Sequence, residues 1–561
     1  MHLRVVIGSL LFGSSFVSGL FAAQISSNAR EASRSIEDVA LQESAPPSEA
    51  TIDRIIAREK EEIDSFSQYS PIIETYIQQV RPDKALGIVP KSDFYFLGQA
   101  DFRSRLKVHP LLESEKKGDW MWSYDPAGFL QMIFVDRGEF DKAHYKFGWV
   151  RREFLGEVRC YVFEVSRAPK THGPGFVGYI WVEDQDMTIV RIQGWYEPGE
   201  SFSPKTLQDE CYLHFDSWRT NVKSGLWLPN YVYIQEVGSP MSFGGPRLKA
   251  QTYFWGYRLA SATREAELSR LLVESPDIKE EAPQHDLSPL EAQREWRREA
   301  ENNVIELLES RGLLAPKGEF EKVLDTIVKN LEITNSLPNQ VDLHCRVLLS
   351  TNLEMFSVGD TIVLSRGLID VVPDEPTMAA LLAHGMADAM VSKPYQAQYA
   401  FSDIMRLTAT EVLRHLSFKE EKTEATANSV KALEFLKNSP YASELGHAGL
   451  FFAQLREKSR SLRRLISPQL GNQVYFDAQL MRAAPALQPN NKNQISALPL
   501  GSRLKIDPWT GVVSLRKSQP PSLRSPRDKM PLEVTPLPPY LTRFMEPSSK
   551  LESSDVFAKV N

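Results

Sequence analysis

The sequence predicts an α+β protein of two domains, a curled antiparallel β-sheet (an incomplete barrel) followed by an α-rich domain. Three observations predict it. From Ser92 to Leu259 apolar residues recur with period two, as in strands with one buried face. From Asn303 to about Ile466 the period becomes helical, with only two short apolar strands interrupting it. Between these regions, residues 262–302 are charged and carry the Pro/Asp/Glu-rich stretch Ser275–Pro289, which reads as a linker.

The composition permits large cores: 42% of the 561 residues are hydrophobic and 24% are charged. The net charge of −7 gives no basic stripe, so nucleic acid is not an expected partner. Residues 1–23 read as a signal peptide. His2 and Arg4 precede the apolar run Val5–Phe21, and Ala22-Ala23 offers a cleavage position. Export to the periplasm or cell envelope is the expectation. An uncleaved anchor is the alternative, because the run is near the lower end of the roughly 17–25 residues that a membrane span needs. In an exported chain Cys160 and Cys211 can form a disulfide; otherwise these two and Cys345 are buried thiols.

In chain order, residues 24–50 are Ser/Glu/Ala-rich and read as disordered, and a helical region follows within residues 24–91. Over Thr51–Val80 the residues Ile52, Ile55, Ile56, Ile63, Ile72, Ile73, Tyr76 and Ile77 recur at helical spacing, with Pro71 opening a second segment. The charged run Arg58–Ile63 reads as a solvated face. The β domain, residues 92–261, carries strands at Phe94–Leu97, Trp120–Trp122, Leu130–Val135, Tyr161–Val165, Val177–Val182, Ile189–Ile192, Tyr212–Phe215 and Trp227–Ile234. With no helices between them, they argue for one antiparallel sheet curled on itself. Gly175–Gly194 is a hairpin with an acidic turn at Glu183–Asp186.

Helices are predicted in the linker at Ala262–Val273 and Leu290–Ala300. The α-rich domain, residues 303–466, carries amphipathic segments through Val304–Leu308 and Val323–Leu331 and strands at Cys345–Leu349 and Thr361–Leu364. A helix Glu375–Ser392 follows, with Asp374 as its cap, Pro376 in its first turn and Pro394 beyond its end. Further helices are expected near Ser402–Leu416, Glu420–Lys437 and Ser443–Leu462. Residues 467–515 form an extension that ends in a hairpin within Leu500–Leu515. Residues 516–561 read as a disordered Pro/Ser-rich tail; its P-L-E-V-T-P-L-P-P-Y array has the alternative reading of an extended recognition segment.

The hairpin's order, a strand followed by D-x-x-x-x-I-x-R-I-x-G, resembles the sheet of the LolA/LolB-like lipoprotein-carrier superfamily. That resemblance implies an incomplete barrel with an apolar concavity and an apolar ligand or lipid as partner. A packed aromatic sheet without a ligand gives the same alternation.

Residues from about Gly312 to Leu462 resemble the HtpX/BepA-like family of gluzincin zinc metallopeptidases. The order Phe356–Asp360, Thr361–Leu364, Ser365–Asp370, Asp374-Glu375 and Ala379–His384 carries the likeness. Such peptidases need H-E-x-x-H, in which two His one turn apart hold zinc and the Glu is the general base. Here the pentapeptide is His384, Gly385, Met386, Ala387, Asp388. His384 falls on the first ligand, Gly385 replaces the general base, and Asp388 falls on the second ligand. The third ligand position falls on Lys422, with Thr426 at the family's Asp; a one-residue shift brings Glu421 there instead.

A site of His384 and Asp388 with Glu420, Glu421 or Glu424 swung in is thus the candidate for zinc, with Glu421 the one that the shifted alignment gives. Lys422 pairing with Asp388 would make the cluster vestigial, with no cofactor. General-base catalysis is worth roughly 10²–10⁴-fold, so losing the Glu points to an inactive pseudopeptidase that binds a protein or peptide client as a scaffold. An active zinc endopeptidase of the envelope with a noncanonical site is the alternative, and a lipid or lipoprotein carrier acting through the β domain is a second. An apolar helix with one satisfied His remains the plain reading.

Overall fold

The computed structural model describes residues 46–83, 87–102, 107–112, 126–169, 171, 174–197, 212–237, 248–257, 288–337, 342–391, 416, 418–467, 470–474, 478–483, 504–506, 513–515, 532–536 and 538–544. The signal segment, Cys211, the Trp120–Trp122 strand and the helices expected at Ala262–Val273 and near Ser402–Leu416 lie outside these residues, apart from Leu416.

After helix α1 (Glu49–Phe66), ten strands make one sheet: β1 Ile72–Asp83, β2 Gly87–Asp101, β3 Lys107–Pro110, β4 Tyr145–Leu155, β5 Val158–Arg167, β6 Gly175–Glu183, β7 Ile189–Glu197, β8 Tyr212–Lys223, β9 Leu226–Val237 and β10 Leu248–Trp255. The order is β3-β2-β1-β10-β9-β8-β7-β6-β5-β4, antiparallel throughout. The sheet is curled and stays open, since β3 and β4 do not pair. The Gly175–Gly194 hairpin is β6 with β7, in the expected register.

Two elements differ from their sequence pattern. Ile72, Ile73, Tyr76 and Ile77 lie on β1, a strand, not on a helix. β1 sits between β2 and β10 and is buried on both faces. Its apolar residues therefore run in adjacent pairs that imitate helical spacing. Leu130–Val135 is not a strand: Pro126–Ile133 is a 3₁₀ helix. Phe129, Leu130, Met132, Ile133, Phe134 and Val135 are all buried, and an apolar run of that kind has no period to read.

The register assigns each side chain to a face. One row of cross-strand neighbours reads Thr75, Thr252, Val232, Ser217, Ile192, Ile180, Phe163; the next reads Ile77, Ala250, Ile234, Phe215, Gly194, Gly178, Val165. On this first face the second of these rows has no polar side chain, while the first carries Thr75, Thr252 and Ser217 beside its apolar residues. Gly178 faces Gly194 at a close approach: a Cβ on Gly178 would lie 2.6 Å from the Gly194 Cα, and Phe176 packs over the gap. On the second face a row reads Glu74, Tyr253, Tyr231, Trp218, Arg191, Trp181, Val162. Arg191 lies between the Trp181 and Trp218 rings, 4.2 and 4.4 Å from their centroids, and forms a two-point pair with Asp216.

The C-terminal half packs on the second face. Helices α2 (Pro289–Ser310) and α3 (Glu319–Thr334) precede a smaller sheet of β11 His344–Leu348, β12 Glu354–Val358, β13 Thr361–Ser365 and β14 Asn472–Gln473, ordered β11-β13-β12-β14. Then come α4 (Arg366–Val371), α5 (Glu375–Ala389), α6 (Lys422–Lys437), α7 (Leu445–Lys458), α8 (Arg463–Ile466) and α9 (Ala478–Ala483), and a last antiparallel pair, β15 Leu504–Ile506 with β16 Val513–Leu515. Asp374 caps α5 by accepting from Thr377 N, as its sequence predicts.

Buried carboxylates staple the two halves. Glu74 accepts from Thr351 N at 2.6 Å, and Asp93 accepts from Arg464 N and Leu465 N at 2.9 and 2.8 Å. Part of the tail is ordered too. Residues 532–536 and 538–544 are in no helix or strand, and Leu532, Glu533, Val534 and Leu541 among them are buried. Among the described residues no helix is long and apolar enough to cross a membrane; this does not bear on crossing by strands.

Candidate functional site: the His384 cleft and the apolar face under α1

His384 stands on α5 and faces a cleft lined by Met355, Ala380, Leu381, Phe452, Asn472, Gln473 and Val474, with a cavity of ≈ 20 Å³, room for about one water. Its Nε2 lies 3.2 Å from both carboxylate oxygens of Glu420. Glu420 is held in turn by its own N–H, which donates to Asn472 Oδ1 at 2.7 Å. The remaining members of the sequence-predicted site are dispersed. Asp388, one turn after His384, is buried and accepts from Asn428 Nδ2 at 3.4 Å. Glu421 is exposed at the N-cap of α6, its N–H bonded to Glu424. Lys422 and Thr426 are exposed on α6, and the Thr426 hydroxyl bonds back to the Lys422 carbonyl. Lys422 is therefore not seated against Asp388.

Gly385 has a packing reason. A Cβ there would meet Ile362 Cγ2 on β13 at 2.7 Å and Met355 Sδ at 3.5 Å. Its carbonyl accepts from Ser357 Oγ at 3.0 Å. The position that would carry a general base is thus a point of close helix–sheet approach. Tested as a zinc site among the described residues, the arrangement brings one His to one carboxylate, short of the three protein ligands that a catalytic zinc takes. Among the described residues no three His, Cys, Asp or Glu side chains are placed to hold a metal. Cys160 is a buried free thiol whose pKa burial raises, and its proposed partner Cys211 lies outside the described residues.

The second site is the first face of the sheet. Helix α1 places Ile55, Glu59, Glu62 and Phe66 on one stripe, all buried. The run Arg58–Ile63 is therefore not a solvated face. Glu59 makes a two-point pair with Arg219 of β8, both bonds 2.7 Å, and both side chains are fully buried. Arg219 also donates to the carbonyls of Ile189 at 3.0 Å and Ile133 at 3.1 Å, and its guanidinium lies over the Phe66 ring. One cation thus joins α1, the 3₁₀ helix, β7 and β8. Arg58 adds bonds to Thr188, Gly225 and Glu62. Burial pushes the Glu62 carboxyl up to about 7, against the pull of Arg219 and Arg58. The spacing of Glu59 and Glu62 with Ile55 and Phe66 was the available signal in the sequence; their partner Arg219, 160 residues away, had none.

No family model matches the chain, and no curated protein does. Among solved structures, the LolA superfamily protein NE2245 from Nitrosomonas europaea matches 38% of this chain and 95% of its own, at 12% identity and a TM-score of 0.21. A DUF1329 family protein from Desulfovibrio piger matches 41% of this chain and 100% of its own, at 12% identity and a TM-score of 0.20. Lipovitellin matches 70% of this chain and 44% of its own, at 10% identity and a TM-score of 0.17. The superpositions are loose, and the class that the fold itself defines is an α+β protein with an open, helix-covered antiparallel sheet.

Proposed function

We propose that the chain is a binding protein, an exported carrier that takes an apolar chain, such as the acyl group of a lipid or lipoprotein, on the first face of its sheet beneath α1. The observation that supports this is the row Ile77, Ala250, Ile234, Phe215, Gly194, Gly178 and Val165, without a polar side chain from β1 to β5, on the face where the buried Glu59–Arg219 pair fastens α1 to β8. Apolar surface rewards an acyl ligand at about 0.8 kcal/mol per buried CH₂. A buried ion pair gives little net stability relative to an apolar contact, because desolvation offsets its attraction, so it fixes where the helix seats more than how tightly. On this reading the helical half is a scaffold supporting the second face, and the His384–Glu420 pair ties α5 to the start of α6.

The test is lipid analysis of the purified chain by mass spectrometry, with titration of an apolar fluorescent probe and displacement by a free fatty acid. The expected result is copurifying lipid, or saturable probe uptake reversed by the fatty acid. Neither lipid nor uptake would make the first face a packed structural core and end the proposal.

A further inference from the structure

The second face carries a site of a different kind. Residues 532–536 (L-E-V-T-P) and 538–544 (P-P-Y-L-T-R-F) lie on it as the two ends of a strap. At one end Gln78 of β1, fully buried, reads the strap's backbone twice: its Nε2 donates to Leu532 O and its Oε1 accepts from Val534 N, both at 2.8 Å. Beside it, Lys249 of β10 pairs with Glu533 in a buried contact. At the other end the β4–β5 turn holds Leu541, whose carbonyl accepts from Glu157 N at 2.9 Å. Arg543 pairs with Glu183 and Asp184 at the β6–β7 turn, and Phe544 N donates to Asn221 Oδ1 at 2.6 Å.

We infer that this track is a peptide-binding site for an extended, proline-containing segment of a partner protein, and that the chain's own residues 532–544 fill it in cis. Three features argue for a recognition site. A buried side-chain amide that bonds one residue's carbonyl and another's N–H reads main chain in any extended peptide. The flanking contacts then read sequence: an acidic residue against Lys249, a leucine against Leu155 and Val158, and a basic residue against Glu183 and Asp184. Pro536, Pro538 and Pro539 hold φ near −65°, so such a segment loses little freedom on docking. At Gly156, φ is +63° and a Cβ would lie 2.4 Å from Leu541 O, so the turn is open to a passing chain only because it has no side chain. The strap also leaves Tyr540 and Phe544 exposed, so not all of its apolar residues are buried.

The experiment keeps the full chain. A protease recognition sequence is inserted between residues 517 and 530 and cut after folding, and fluorescein-labelled peptide 532–544 is followed by anisotropy. The expected result is no binding to the uncut chain and saturable micromolar binding to the cut chain once its own strap is washed out. Lys249→Glu is expected to weaken the peptide at least tenfold, and a peptide carrying Glu533→Lys is expected to regain the lost affinity on that variant. Gly156→Ala is expected to weaken the labelled peptide on the cut chain, because its methyl would meet the Leu541 carbonyl of any strap seated there. Equal binding to cut and uncut chain, a cut strap that never exchanges, or indifference to the Lys249/Glu533 swap would each overturn the inference. A cut chain that dimerises by exchanging straps would replace the partner protein with a second copy, and overturns it also.

Discussion

Separating Glu59 from Arg219 tests how α1 is held. In Glu59→Leu the guanidinium stays buried, keeping the carbonyls of Ile189 and Ile133 but losing both carboxylate bonds. In Arg219→Met a carboxylate stays in an apolar setting and two carbonyls lose their donor. Each single change should cost about 3–5 kcal/mol, the penalty of an unpaired buried charge. The double variant Glu59→Leu/Arg219→Met removes both charges and fills the space with carbon. It should lie within about 1–2 kcal/mol of the wild type, giving a coupling energy of several kcal/mol. Guanidinium denaturation followed by tryptophan fluorescence is the assay, since Trp218 and Trp227 are buried beside this region. Single variants that each cost less than about 1 kcal/mol and add in the double would refute the latch. If the carrier proposal holds, the single variants also take up apolar probe faster than the wild type.

Gly385→Ala should lower stability by about 1–3 kcal/mol despite Ala's better helix propensity, because its methyl meets Ile362; a rise in thermal midpoint would contradict the packing argument. The Glu62 carboxyl titrates near 7 in the folded chain, against the 4.5 of an ordinary solvated glutamate. The folded state therefore holds a proton that the unfolded state releases, and stability falls as pH rises from about 4.5 to 7. The loss is about 3 kcal/mol at most, and Glu62→Gln should flatten that slope in denaturation series between about pH 5 and 8. Inductively coupled plasma analysis should find substoichiometric zinc; an equimolar content lost in His384→Ala would restore the metal reading. Glu354, buried with its carboxyl raised to about 7, accepts from Ser350 and from Gly471 N; Glu354→Ala should loosen the β14 segment, seen as faster hydrogen exchange at Asn472 and Gln473.

Much of the fold could be read from local pattern. The β6–β7 hairpin, the strands β11 and β13, the Asp374 cap and the helices α3 and α6 follow from periodicity and end signals. What failed were the places where tertiary burial erased the period. β1 has neighbours on both faces, and the 3₁₀ helix has Gln131 as its one polar side chain, so neither shows an amphipathic stripe. The site was less legible for a different reason. His384 and its carboxylate were both in view, but which of three neighbouring glutamates turns inward depends on where α6 begins, and Glu420 precedes the helix while Glu421 caps it. The pairs Glu59–Arg219 and Lys249–Glu533 join residues 160 and 284 positions apart, and no spacing rule reaches that far.

The strap sets an order on folding. Gln78 bonds to Leu532 and Val534 across 454 and 456 positions, so β1 finishes its bonds only when residues made much later arrive. Long-range closure of this kind is slow, because the intervening chain must be gathered before the contact repays it. Until residues 532–534 arrive, Gln78 lacks its two bonds to their backbone. A ribosome stall or a truncation before residue 532 therefore yields a molecule in which Gln78 and Lys249 never meet Leu532, Glu533 and Val534.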